Sequence, residues 1–150
     1  MNVGDKFKVS ALHLACRRGN LEAAEILLSH PDIIVDIKDE HDDTPLHEAC
    51  LHGSDTVVEK LLLNNVAISH SFYDSFNEDN QTPLHLACRE GHTKIVKMLL
   101  EQCPVGHLMT FLGAHDSRGN TAFHLAVESF GVSETLQLVV YFQACNWHDI

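Results

Sequence analysis

The 150-residue chain predicts an all-α solenoid of four stacked helix-turn-helix units joined by hairpin-like loops. Three observations predict it. One block recurs as Ser10-Ala-Leu-His-Leu-Ala-Cys16, Thr44-Pro-Leu-His-Glu-Ala-Cys50, Thr82-Pro-Leu-His-Leu-Ala-Cys88 and Thr121-Ala-Phe-His-Leu-Ala-Val127. A glycine follows each copy, at Gly19, Gly53, Gly91 and, one residue late, Gly131. A second apolar block comes next: Ala23/Ala24/Leu27/Leu28, Val57/Val58/Leu61/Leu62, Ile95/Val96/Leu99/Leu100 and Thr135/Leu136/Val139/Val140. The chain 1–150 therefore reads as a single domain with units starting near 10, 44, 82 and 121.

Within a unit each element has a physical reason. Ser or Thr at the opening is a preferred helix N-cap, because its oxygen accepts from first-turn amides. Pro45 and Pro83 suit the first helical position, where a missing N–H costs nothing. Leu46, Ala49 and Cys50 lie three and four apart and make a narrow stripe of small apolar residues that lets neighbouring helices approach. The glycine supplies the left-handed residue that stops the helix. The second block repeats i, i+1, i+4, i+5, the pattern of another amphipathic helix. Such a helix pair cannot bury its face alone, so the units must stack. Asp42, Asn80 and Gly119, each two positions before the next Thr, tolerate positive φ and predict a turn projecting between units within 30–43, 64–81 and 102–120.

The T-P-L-H-x-A pattern is matched residue for residue by Thr44–Ala49 and Thr82–Ala87. It resembles the ankyrin-repeat family, whose unit is about 33 residues. The resemblance runs from position 8 to position 143. The first copy has Ser10-Ala11 for Thr-Pro and the fourth has Ala122-Phe123 for Pro-Leu. The second and third linkers exceed the usual unit by about five and six residues. Family likeness implies that the repeated histidine braces adjacent loops, and that partners meet the loop tips and the concave inner-helix face.

Candidate chemistry is sparse. His13, His47, His85 and His124 recur at one position, and three are followed by Cys three residues on, a spacing that could offer two zinc ligands. The fourth copy replaces that Cys with Val127, which a ligand does not survive and a small buried hydrophobe does. His47-Glu48…His52 carries one residue too many for H-E-x-x-H, and a five-residue step turns the two histidines apart. No phosphate-cradling glycine loop or G-x-S-x-G elbow occurs. Asn80-Gln-Thr82 is formally a glycosylation sequon whose Thr is already explained as a cap. No catalytic residue, metal ligand or cofactor is expected.

Charge points to the partner. The chain has 21 Asp and Glu against 10 Lys and Arg, a net −11, which argues against nucleic acid. Residues 31–43 hold six acidic side chains, Asp39, Glu40, Asp42 and Asp43 among them, against Lys38, and residues 70–81 add Asp74, Glu78 and Asp79. Like charge on neighbouring loops attracts a basic protein or peptide; a solvated face is the bland alternative. The expected partner surface comprises Asp39, Glu40, His41, Asp42, Asp43, Tyr73, Phe76, Glu78 and Asp79 on the loops. Arg17, Arg18, Leu51, His52, Arg89 and Glu90 join it on the inner helices, with Arg118 beyond. Phe72 reads as tucked against helices, and Leu108, Met109, Phe111 and Leu112 as local core. Protonating all 12 histidines would take the charge from −11 to +1, so binding is expected to weaken below pH ~6.

The function expected is a non-catalytic protein-binding module. Two alternatives stand beside it: a structural spacer, the terminal part of a longer array in a scaffold, channel or signalling protein, and an inhibitor-like ankyrin protein that masks a transcription factor. The apolar stretch from Leu136 to Cys145 falls short of the ~20 residues that span a bilayer. The N-terminus reads as no secretion signal, and five cysteines without C-x-x-C spacing read as reduced thiols, which places the protein in the cytoplasm with the nucleus as alternative. At the ends, Lys6, Lys8, Arg17, Arg18, Glu22 and Glu25 suit a polar cap, whereas the final helix carries no charge before Asp149. That end is expected to continue into further repeats, meet a partner or its own copy, or lie under a lid formed by Trp147.

Overall fold

The computed structural model describes residues 8–64, 75–103 and 108–146, with side chains at 108–109 and 142–146 left aside. Among the described residues there are nine helices and no strand. They are α1 (Ala11–Arg18), α2 (Leu21–Leu28), α3 (Pro45–His52), α4 (Asp55–Leu63), α5 (Pro83–Arg89), α6 (Thr93–Gln102), α7 (Leu108–Gly113), α8 (Ala122–Phe130) and α9 (Val132–Asn146). Helices α1, α3, α5 and α8 stack in one row, and α2, α4, α6 and α9 in a second. The core is the seam between the rows, continuous from Leu12 through Leu46, Leu84 and Ile95 to Leu138.

Each inner helix opens with the same reciprocal cap. Thr44 Oγ1 accepts from the His47 amide at 3.4 Å and bonds His47 Nδ1 at 2.8 Å, while the Thr44 amide donates to Nδ1 at 3.1 Å. Ser10, Thr82 and Thr121 repeat this with His13, His85 and His124. Such caps contribute roughly 1 kcal/mol each. At the other end Gly53 has φ +71°, and a Cβ there would lie 2.6 Å from the His92 ring of the next unit. Glycine is thus required both by handedness and by the approach of neighbouring units.

The linkers keep one turn despite their unequal lengths. Asp39, Asn77 and Asp116 stand five residues before Thr44, Thr82 and Thr121, and each side-chain oxygen accepts from the amides two and four residues on. The positive φ falls at Asp42, Asn80 and Gly119, where the sequence predicts it. Successive turns are joined by backbone: the Glu78 amide donates to the His41 carbonyl and the Ser117 amide to the Asp79 carbonyl, each at 2.9 Å. In the third linker the extra residues ahead of the turn include α7, whose Phe111 is fully buried. Leu112 packs half-buried against the core, and the side chains of Leu108 and Met109 lie outside the described set.

Candidate functional site

The repeated histidines are occupied by the fold. The His47 ring donates from Nε2 to the Gln81 carbonyl at 3.0 Å, His13 to the Asp43 carbonyl at 2.8 Å, and His85 divides its donation between the Ala114 and Asn120 carbonyls. A carbonyl only accepts and the Thr44 amide only donates, so Nε2 carries the proton and Nδ1 the lone pair. With both nitrogens engaged, these rings brace one unit against the next hairpin. Burial holds His47 neutral, its pKa lowered to about 4 against the partly opposing bond to Gln81, and burial lowers His85 as well. The twelve histidines therefore do not titrate together, and the charge swing of full protonation overstates what mild acid does. Burial likewise pushes the thiols of Cys16, Cys50 and Cys88 upward, as befits packing groups.

The expected acidic surface divides in two. Asp39 is buried, its carboxylate satisfied by the amides of His41 and Asp43, so it serves the turn and leaves the docking surface. Asp43 is half-buried and accepts from Asn77 Nδ2 at 3.0 Å, and burial raises its pKa, with Asp39 and Glu48 adding to the rise. Glu40, Asp42, Glu78 and Asp79 are exposed on the tips of the first two hairpins. His41 lies between them, bonded to Glu78 at 2.8 Å, a bond that raises its pKa. Phe76 is half-buried beneath the second tip, where its carbonyl accepts from Lys38 Nζ. Tyr73 and Phe72 lie outside the described residues.

On the inner helices the other expected residues lie at or just past the C-terminal ends of α1, α3 and α5, with Arg18 lining a groove beside Leu14 and Ile26. Arg17, Arg18, His52, Arg89 and Glu90 are exposed and Leu51 is half-buried. Arg17 grips the buried Glu48 with two bonds, Nε to Oε2 at 3.0 Å and the guanidinium to Oε1 at 2.6 Å, and His52 approaches the same carboxylate at 3.3 Å. Arg89 spans Glu90 and Gln81. Between the second and third hairpins and helices α5 and α8 runs a polar groove of about 220 Å³, edged by Asp79, Arg89, Asp116, Arg118 and Glu128. Asp116 is tied up like Asp39; burial opposes its charge, but the Asn120 and Arg118 amides outweigh that and lower its pKa.

Sequence reasoning passed over Glu48 and the Asp39–Asn77–Asp116 series. Glu48 occupies the position of Leu14, Leu86 and Leu125, so a charge among leucines was the signal that it needs a partner. The three Asx residues share a fixed distance to the cap, a signal visible once the linkers are counted backward from each Thr.

A stack of helix pairs with projecting hairpins, capped by Thr–His and closed by a left-handed glycine, defines a helical-repeat solenoid built for recognition. The family description "Ankyrin repeats (3 copies)" matches residues 1–72 and 68–148. The chain belongs to the ankyrin-repeat family. Members generally mediate protein–protein interaction and are typically not enzymes. The chain is similar to SMC5-SMC6 complex localization factor protein 1 of Homo sapiens, 43% identical over 53 residues, which is 35% of this chain and 5% of that protein. It is also similar to E3 ubiquitin-protein ligase KEG of Arabidopsis thaliana, 47% identical over 53 residues, 35% of this chain and 3% of that protein. The match thus spans only a small part of either relative. Among the described residues no helix is long and apolar enough to cross a membrane.

Proposed function

We propose that the protein is a non-catalytic recognition module whose partner is a basic segment of another protein. The observation that carries this reading is the pair of adjoining hairpin tips, where Glu40, Asp42, Glu78 and Asp79 are exposed and the backbone bond from Glu78 to His41 holds the two tips side by side. Four carboxylates on a rigid edge present a negative field to a cationic partner without ordering cost at the moment of encounter. The groove below, with Arg89 and Arg118 among acids, supplies the counter-signal that fixes register: it accepts an acidic or amide group at one point of an otherwise basic strand. The two relatives bear names of unlike activity, as a transferable recognition module would predict.

The test uses fluorescent peptides of matched length and opposite charge, titrated against the chain by anisotropy. Basic peptides are expected to bind, and to weaken as salt rises and screens the tips. A variant carrying Glu40→Gln, Asp42→Asn, Glu78→Gln and Asp79→Asn is expected to lose at least tenfold in affinity. Equal binding of both charge classes, or undiminished binding to the variant, would overturn the reading.

A further inference from the structure

The three junctions between units carry different side chains at the same two places. Counted from the caps, Arg17, Leu51 and Arg89 each stand seven residues on, and Glu48, Leu86 and Leu125 of the following units stand four on. In the first junction these places hold Arg17 and Glu48, joined by bonds of 3.0 and 2.6 Å. In the second both are leucine. The third keeps the arginine, Arg89, but sets the buried Leu125 where Glu48 would stand. Arg89 turns aside: Nε donates to Glu90 at 2.8 Å and Nη1 to Gln81 Oε1 at 3.3 Å, which leaves Nη2 without a partner among the described residues. This is the place of the polar groove of about 220 Å³, whose wall includes Leu125. The third hairpin adds a second guanidinium, that of Arg118, which holds none of the carboxylates sharing the groove. Two guanidinium groups thus meet where the first junction shows the same arginine gripping a carboxylate.

We infer that this groove is a carboxylate subsite: it takes one Asp or Glu side chain of the partner, held between Arg89 and Arg118. The subsite serves the same basic segment that the hairpin tips would hold, and so rests on that reading, with a carboxylate now named in place of an acidic or amide group. Planar guanidinium forks match the paired oxygens of a carboxylate, whereas an amide offers one oxygen and no charge. The acids at the groove set the context that this carboxylate needs. Asp116 is engaged by the Arg118 and Asn120 amides, but Asp79 and Glu128 are exposed at the edge. Their field repels a free organic acid. It favours an acid with basic neighbours in sequence, whose Lys or Arg side chains meet Asp79 and Glu128. Asp79 belongs to the second tip as well as to the groove, so the acid follows closely on the bases that the tips hold. The segment that fits reads basic, acidic, basic, and its single acid fixes which residue lies over which unit.

The test uses lysine-rich peptides in which a single Glu, and in a parallel set a single Gln, is moved through the sequence. They are titrated by fluorescence anisotropy in about 0.15 M salt, where exposed charges beyond ~8 Å are largely screened. The long-range field of an acidic protein weakens each Glu peptide against its Gln counterpart, so the readout is a change of sign. At one position the Glu peptide is expected to bind about threefold tighter than the Gln peptide, the size of a partly exposed ion pair. Arg118→Gln is expected to abolish that reversal while the all-lysine peptide binds as well as before or better. Arg118 is exposed, so helical circular dichroism should be unchanged; if the variant loses it, Arg89→Gln replaces it. Lysine peptides that bind, with Glu weaker than Gln at every position, overturn the subsite and leave the tips standing. A reversal that survives the substitution overturns its assignment to this groove. Lysine peptides that do not bind at all overturn the tip reading, and the subsite with it.

Discussion

His47 ties the fold to pH. Its ring is fully buried, Nδ1 accepts twice from Thr44, and Nε2–H donates to the Gln81 carbonyl. A second proton on Nδ1 would replace two accepted bonds with a donor facing donors. Desolvation accordingly lowers the pKa from 6.5 to about 4. A histidine depressed in the folded state stabilises above its unfolded pKa, and that share is lost as pH falls from 6.5 toward 4, because only the unfolded chain takes up the proton. At pH 4.5 the loss amounts to about 2 kcal/mol relative to pH 7. The assay is urea denaturation followed by circular dichroism at both pH values, for the native chain and for His47→Gln, whose amide retains one acceptor and one donor but does not titrate. The variant is expected to be less stable at pH 7, and its drop on acidification should be smaller than the native drop by about that amount. Carboxylate contributions cancel in the difference. Equal pH drops in the two proteins would refute the assignment of a depressed, neutral His47.

The other consequences concern single side chains. Gly53→Ala combines a left-handed backbone with a Cβ 2.6 Å from the His92 ring. It should cost about 2 kcal/mol or more by urea denaturation. Asp39→Asn keeps the turn acceptor that Asn77 already demonstrates, so its unfolding midpoint should shift little. Asp39→Ala, which strands two amides, should cost about 2 kcal/mol in the same titration. Arg17→Met leaves Glu48 charged and buried close to Asp39 and Asp43. That change should cost about 2 kcal/mol, limited by the exposure of the guanidinium, and adding Glu48→Gln should restore part of it in a double-mutant cycle.

Elements with local causes were the legible ones. The caps, the glycine stops, the two helices of each unit and the positive φ at Asp42, Asn80 and Gly119 all follow from a few adjacent residues. Helix α7 did not declare itself, because a short apolar run inside a linker shows too little period to separate helix from tucked loop. The candidate surface was legible as composition but not as exposure. Asp39 and Glu40 are neighbours of identical charge, yet one turns inward to two amides and the other outward to water, a difference set by the hairpin and not by residue type. Val127 reads differently once its surroundings are known. As sequence it argued that the cysteine position is mere packing; as structure it is 39% exposed where Cys16, Cys50 and Cys88 are wholly buried, and it lines a shallow surface with Phe123 and His124.

The turn series Asp39, Asn77 and Asp116 lets the fold absorb editing. Each unit resets its register at this residue, five positions ahead of the next cap, and whatever lies upstream is free to lengthen. The longer second and third units show that such growth leaves the hairpin tips in step, since the backbone bonds at Glu78 and Ser117 are the same length. A foreign segment spliced between α6 and Asp116 should therefore be carried as cargo, with the edge it hangs from undisturbed, which makes this linker a natural point of evolutionary insertion and of deliberate grafting.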